Sequence, residues 1–198
     1  MTSIRQGHEA ADALDWNEAL RLIDRMADDG QYRDSLVVAS GCYLGLRVSD
    51  LLRLKWEDLL ADDFYVVEKK TGKKRHIRVN ATFQKKAKAL RKALGNPPLD
   101  SYAFSRKRGD APISRQAVDL MLKKAKVRYR IKSARIFSSH SLRKTFGRRV
   151  WLQGCDKGSG EKALLLLCDV FGHSSISITK RYLGIRHEEI LSVYDALD

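Results

Sequence analysis

The chain is predicted to be mainly α, an α+β domain of helices around one small antiparallel sheet, from three features of its sequence. Apolar residues recur at three- and four-residue spacing through most segments. That period switches to two only between Asp63 and Val79, where two short runs flank a basic turn containing Gly72. No internal repeat, low-complexity tract or long flexible linker interrupts the 198 residues, and 43% apolar content is enough for a real core.

The elements follow in order. Asp15-Trp16-Asn17-Glu18 reads as a capping box that opens a helix with Leu20, Ile23 and Met26 on one face and Gly30 just beyond its end. A second helix over 33–44 carries Leu36, Val37, Val38, Ala39, Cys42 and Tyr43, apolar enough to be central to the core. Ser49 is placed to cap a short helix through Leu52 and Leu54. Two strands are expected over 63–68 and 75–79, with Lys69-Lys70-Thr71-Gly72-Lys73-Lys74 as the turn between them. Asn80 caps a helix that faces Phe83, Ala87, Leu90 and Leu94 inward, and Asn96-Pro97-Pro98 breaks the chain. Ser114 starts another helix through Val118, Leu122 and Ala125.

Leu142, Phe146 and Val150 predict a helix over 141–152, which Gly154 ends. Lys157 to Gly160 is read as a loop, 163–171 as a buried helix, and two short helices then carry Tyr182 and, over 187–197, Ile190, Leu191 and Tyr194.

The 38 Lys+Arg exceed the 24 Asp+Glu by 14. A solvated surface accounts for part of that surplus, but a field this positive recruits polyanions and points to nucleic acid. Cys42, Cys155 and Cys168 form no CxxC pair, so reduced thiols and a cytoplasmic setting are expected. No run reaches the ~18 apolar residues of a membrane span, and the N-terminus lacks an apolar signal core.

Several residues carry possible chemistry. His140 and Arg143, three apart, fall on one helix face while Leu142 points into the core. Alone, that pair is an ordinary exposed basic face. Arg47 follows an apolar helix and Gly45, where its charge must emerge at a helix end or be buried with partners; a guanidinium there can donate a fork of hydrogen bonds to phosphate. Asp50 either holds Arg47 or is a first-turn acid favoured by the helix dipole. His173 alone reads as a structural or capping residue, Tyr182 alone as half-buried core. Lys69, Lys70, Lys73 and Lys74 alone form a solvated hairpin tip, although such a hairpin can also enter a DNA groove. Their joint occurrence in this order is not ordinary.

Gly45-Leu46-Arg47 with Asp50, Lys70-Thr71-Gly72-Lys73, His140-Ser141-Leu142-Arg143-Lys144-Thr145, Gly172-His173-Ser174-Ser175 and Arg181-Tyr182-Leu183 together resemble the catalytic domain of the tyrosine recombinase (phage integrase) family, over residues 16–193. The resemblance implies a helical fold with a small antiparallel sheet. It implies Tyr182 as nucleophile, Arg47 and Arg143 on the non-bridging oxygens of a scissile DNA phosphate, and His140 and His173 assisting proton transfer. Lys70 is implied as general acid for the departing 5′ hydroxyl, with Lys73 a possible substitute. Lys69, Lys73, Lys74 and Lys144 are expected to contact DNA.

The implied activity is site-specific recombination: cleavage and rejoining of duplex DNA through a 3′-phosphotyrosyl link, without metal, ATP or cofactor. No carboxylate cluster suited to Mg²⁺ is visible in the sequence. A homo-tetramer on double-stranded DNA, joined through the C-terminal helix, is the implied assembly. Only about fifteen residues precede Trp16, so one catalytic domain spanning 1–198, without the N-terminal DNA-clamping domain of many relatives, is expected. A type IB-like topoisomerase and a non-catalytic DNA-binding regulator of the same fold are the rival readings.

Overall fold

The computed structural model describes residues 10–106 and 111–185, together with Leu191 and Tyr194. Helix α1 (Trp16–Asp28) begins where the Asp15 carboxylate accepts the Glu18 N–H at 2.9 Å. The reciprocal half of the expected capping box is not made. Glu18 instead receives the N–H groups of Lys132 and Ser133, each at 3.0 Å, and the Asp15 N–H turns to the Ser133 hydroxyl. A distant loop offers Glu18 two donors where the local box offers one, and the helix start is thereby tied to the segment before α7.

Helix α2 (Tyr32–Leu44) is buried along almost its whole length and ends at Gly45, whose φ of 60° closes the helix in the left-handed region. Gly45 also abuts Phe146: a Cβ there would stand 2.4 Å from that ring. The chain passes directly into α3 (Val48–Leu51). Its N-cap residue is Arg47, not Ser49 as expected, because the Arg47 carbonyl already accepts from Asp50 and Leu51, both at 2.9 Å. Arg47 therefore occupies the elbow between two helices.

After α4 (Trp56–Leu60), strands β1 (Asp63–Val67) and β2 (Lys74–Arg78) pair antiparallel, with Asp63 opposite Arg78 and Val66 opposite Arg75. Helix α5 (Ala81–Ala93) is capped by Asn80 as expected, but Leu94 lies at its C-terminal end and is exposed. Helix α6 (Arg115–Arg128) starts from Ser114, whose hydroxyl accepts the Ala117 N–H.

Helix α7 (Ser139–Asp156) is longer at both ends than its apolar stripe suggests. Gly154 does not stop it; the glycine lets α8 (Gly160–Phe171) approach, since a Cβ there would lie 2.5 Å from that of Ala163. Only one face of α8 is buried, by Ala163, Leu164, Leu167, Cys168 and Phe171, while Leu165, Leu166 and Val170 are exposed. Helix α9 (Ile176–Leu183) carries Tyr182. The helix expected over 187–197 lies outside the described residues except for Leu191 and Tyr194, both exposed.

Two apolar clusters result. The larger gathers α1, α2, α5 and α6 and takes Leu142 from α7; the smaller joins Leu164, Leu167, Phe171, Leu183 and Ile185, with Phe146 and Val150 packed against it. Helix α7 separates them, which sets Arg143 between the two halves of the domain. The mainly α fold with one small antiparallel sheet stands as the sequence predicts.

Candidate active site

The floor of the site is a pair of guanidiniums. Arg143, only 4% exposed, donates from Nη1 to the Gly45 carbonyl at 2.6 Å and from Nη2 to the Phe171 carbonyl at 3.2 Å. Arg47 donates from Nη2 to that same Phe171 carbonyl at 3.3 Å. Phe171 ends α8, where a helix has no internal donors left for its last carbonyls and carries its negative dipole end. Two cations can share that acceptor. Burial pushes Arg143 down to about 10, so it still carries its charge at neutral pH.

A carboxylate that sequence reasoning passed over completes the floor. Glu68 is 2% exposed and pairs with Arg47 Nη1 at 2.8 Å and with Arg75 Nε at 3.0 Å. Burial alone raises a carboxyl, but here the Thr71 hydroxyl and the Arg47 and Arg75 charges outweigh it and hold Glu68 below its usual range. Arg75 also donates to the Asp169 carbonyl at 2.7 Å. Nothing in the local pattern singles out Glu68 or Arg75 among the charges around the hairpin. Asp50, one of whose expected roles was to hold Arg47, takes another: fully buried, it accepts the Lys69 N–H on Oδ1 at 2.8 Å and so anchors the hairpin.

Tyr182 stands over this floor. Its ring packs edge-on against Phe171 and His173, at centroid distances of 5.4 and 5.3 Å. Its hydroxyl is buried and faces the Arg143 guanidinium, close to it but short of full hydrogen-bonding geometry. Burial raises the phenol above its ordinary value, while Arg143 and then Arg47 pull it back. His173 lies 3.0 Å through Nδ1 from the Thr179 hydroxyl, which in turn donates to the Ser175 carbonyl at 3.5 Å. Desolvation, reinforced by Arg143 and Arg47, lowers the His173 pKa and keeps the ring neutral.

Arg47, Arg143, His173 and Tyr182 thus form one cluster, with Asp50 beneath the adjoining hairpin. His140 is exposed on the first turn of α7, its pKa lowered by partial desolvation and then by Arg115. Lys69, Lys70, Lys73 and Lys74 are exposed around the turn, where Lys74 Nζ lies 4.4 Å from the Tyr65 ring. Lys144 stands apart from the hairpin: 7% exposed, its Nζ is 5.2 Å from the Tyr182 ring, and it lines a cavity of about 490 Å³ with Asp12, Thr145, Arg148 and Leu183. Among the described residues no group of three or more His, Cys, Asp or Glu side chains could hold a metal ion, and no helix is long and apolar enough to cross a membrane.

Chemically, the arrangement is a cationic cradle beside a buried phenol. Fixed guanidiniums favour an oxyanion, and a neutral imidazole can accept the proton that an attacking phenol must shed.

The phage integrase family profile matches residues 12–189. The probable integrase/recombinase YoeC of Bacillus subtilis is 28% identical over 184 residues, covering 89% of this chain and 94% of that protein. The tyrosine recombinase XerC of Xanthomonas axonopodis is 31% identical over 185 residues, covering 92% of this chain and 57% of XerC. The tyrosine recombinase XerD of Staphylococcus saprophyticus is 28% identical over 191 residues, covering 93% and 61%. The chain therefore spans nearly all of YoeC but less than two thirds of XerC or XerD. Among solved structures, the XerA recombinase superposes with a TM-score of 0.67 at 24% identity, over 92% of this chain and 61% of XerA. The XerH site-specific recombinase, bound to its palindromic difH substrate in a post-cleavage complex, gives 0.67 at 18% identity, over 96% and 55%. Both share the fold.

Proposed function

The chain belongs to the phage integrase family, and on that premise we propose that it is a site-specific DNA recombinase, cleaving and rejoining duplex DNA through a 3′-phosphotyrosyl intermediate. One observation carries the reading: Arg47 and Arg143 converge on the Phe171 carbonyl beside the buried hydroxyl of Tyr182.

In the proposed reaction, the two guanidiniums take the non-bridging oxygens of the scissile phosphate and stabilise the charge that grows there, as metal ions do in other phosphoryl-transfer sites. Tyr182 Oη forms a bond to phosphorus as the bond from phosphorus to the 5′ oxygen breaks. The phenol proton passes to a neutral histidine, His173 or His140, and the leaving 5′ oxygen takes a proton from Lys70. The phosphotyrosine link keeps the energy of the broken DNA bond, so a 5′ hydroxyl from another strand reseals it without ATP.

Duplex DNA as substrate is supported by the net charge of +14 and by the palindromic difH substrate held in the XerH complex. Lys69, Lys73 and Lys74 are exposed around the hairpin beside the cluster, and on this reading they contact the duplex. Exchange between two duplexes requires four cleavages, hence four protomers, and the exposed Leu191 and Tyr194 of the C-terminal segment fit a role in joining them. The protein acts on DNA in the cytoplasm.

A nicked suicide duplex tests the proposal. Wild-type protein is expected to become covalently attached to DNA, and Tyr182→Phe to bind the same DNA without attachment. An adduct that survives the substitution excludes Tyr182 as the nucleophile.

A further inference from the structure

Glu68 directly follows β1 and is almost wholly buried, at a position where a carboxylate is costly unless paired. Its two oxygens serve different neighbours. Oε1 lies between Arg47 and Arg75, at 2.8 and 3.0 Å; Oε2 accepts the Thr71 hydroxyl at 2.6 Å. Its backbone also closes the hairpin, donating to the Lys73 carbonyl at 3.0 Å and accepting the Gly72 N–H at 2.8 Å.

Lys70 lies between two anchored neighbours. On one side, the Lys69 N–H is held by buried Asp50; on the other, the Thr71 hydroxyl is held by Glu68. The Lys70 side chain itself is exposed. The peptide that carries Lys70 is therefore fixed to the domain, and one of its two fastenings is the carboxylate that also grips a phosphate-binding arginine.

Resting on the recombinase reading above, we propose that Glu68 is a positioning residue that acts through Thr71 to place the Lys70 ammonium at the leaving 5′ oxygen, in register with Arg47. When the bond from phosphorus to that oxygen breaks, Lys70 Nζ gives it a proton and becomes a neutral amine; religation returns the proton. A general acid displaced by an ångström loses much of its effect, on the order of 10²-fold. Arg75 steadies Glu68 through the same oxygen that Arg47 holds.

The test uses a duplex recovered by covalent trapping from a randomised pool, synthesised with either oxygen or sulfur at the bridging 5′ position of the scissile phosphate. A thiolate leaves without being protonated, so sulfur removes the need for Lys70. Glu68→Gln is expected to form adduct about 10²-fold more slowly than wild type on the oxygen duplex, and at nearly the wild-type rate on the sulfur duplex. Thr71→Val, which leaves the contact between Glu68 and Arg47 in place, is expected to show a smaller loss that sulfur likewise removes. Because Thr71 is exposed on a turn, this variant carries the test alone if Glu68→Gln does not fold. Equal slowing of Glu68→Gln on both duplexes, or a wild-type rate for Thr71→Val on oxygen, overturns the coupling. Wild-type protein that forms no adduct on either duplex overturns the recombinase reading and the coupling together.

Discussion

Arg47 and Arg143, 96 positions apart in the sequence, donate to one and the same oxygen, the carbonyl of Phe171, at 3.3 and 3.2 Å. Like charges are brought together only where something negative holds them, and here the end of α8 and the buried Glu68 do so. In the proposed reaction, that holds both guanidiniums in place before the phosphate arrives, the arrangement that lowers a barrier without reorganisation.

Removing one of these donors should expose that effect directly. Arg143→Ala is expected to lower the rate of covalent adduct formation on a nicked duplex by about 10²–10³-fold, the cost of losing one preorganised oxyanion donor. A rate within a few-fold of wild type would remove Arg143 from the reaction.

The histidines give stability a pH dependence of known sign. Burial and neighbouring cations lower the pKa of His173, and burial with Arg115 lowers that of His140, both below the ordinary 6.5. The unfolded chain therefore takes up protons first as pH falls. The stability these groups contribute is present above 6.5 and lost as the pH drops through their folded values. Glu68, held low, stays charged over the upper part of that window. Thermal midpoints should fall from pH 7 to pH 5, and His173→Gln should flatten the slope; an identical slope in that variant removes His173 as a source. Tyr182 acts at the other end. Its raised pKa means that its contribution is present below 10 and lost as pH climbs through the folded value.

Gly147 tests the packing that carries Tyr182. A Cβ there would lie 2.6 Å from Leu183 Cδ2 and 2.8 Å from Phe171 Cζ, between the end of α8 and the residue after Tyr182. Gly147→Ala is expected to cost about 1–3 kcal/mol in denaturant unfolding and to slow adduct formation by more than it weakens DNA binding. Unchanged unfolding and adduct rates would show that the crossing relaxes freely.

The hairpin lysines should act on affinity through phosphate charge alone. Each of Lys69→Ala and Lys73→Ala is expected to reduce the slope of log affinity against log salt by about 1. Slopes that match wild type would place the duplex away from the hairpin.

Helix periodicity, the caps at Asp15, Asn80 and Ser114, the alternation that makes the two strands, and the ordered motifs around Arg47, His140, Arg143, His173 and Tyr182 are all local, so the chain alone discloses them. What Glu18 grips, why Gly154 lies within α7, and which face of α8 is left to solvent depend on partners far along the chain. Glu68 is the sharpest case: in sequence it is one more charge beside a lysine-rich turn, and in space it joins Arg47, Arg75 and Thr71. Only the packing of the hairpin against α3 and α8 decided that, because a carboxylate acquires its role from whichever cations and donors the tertiary fold delivers to it, and no local period records them.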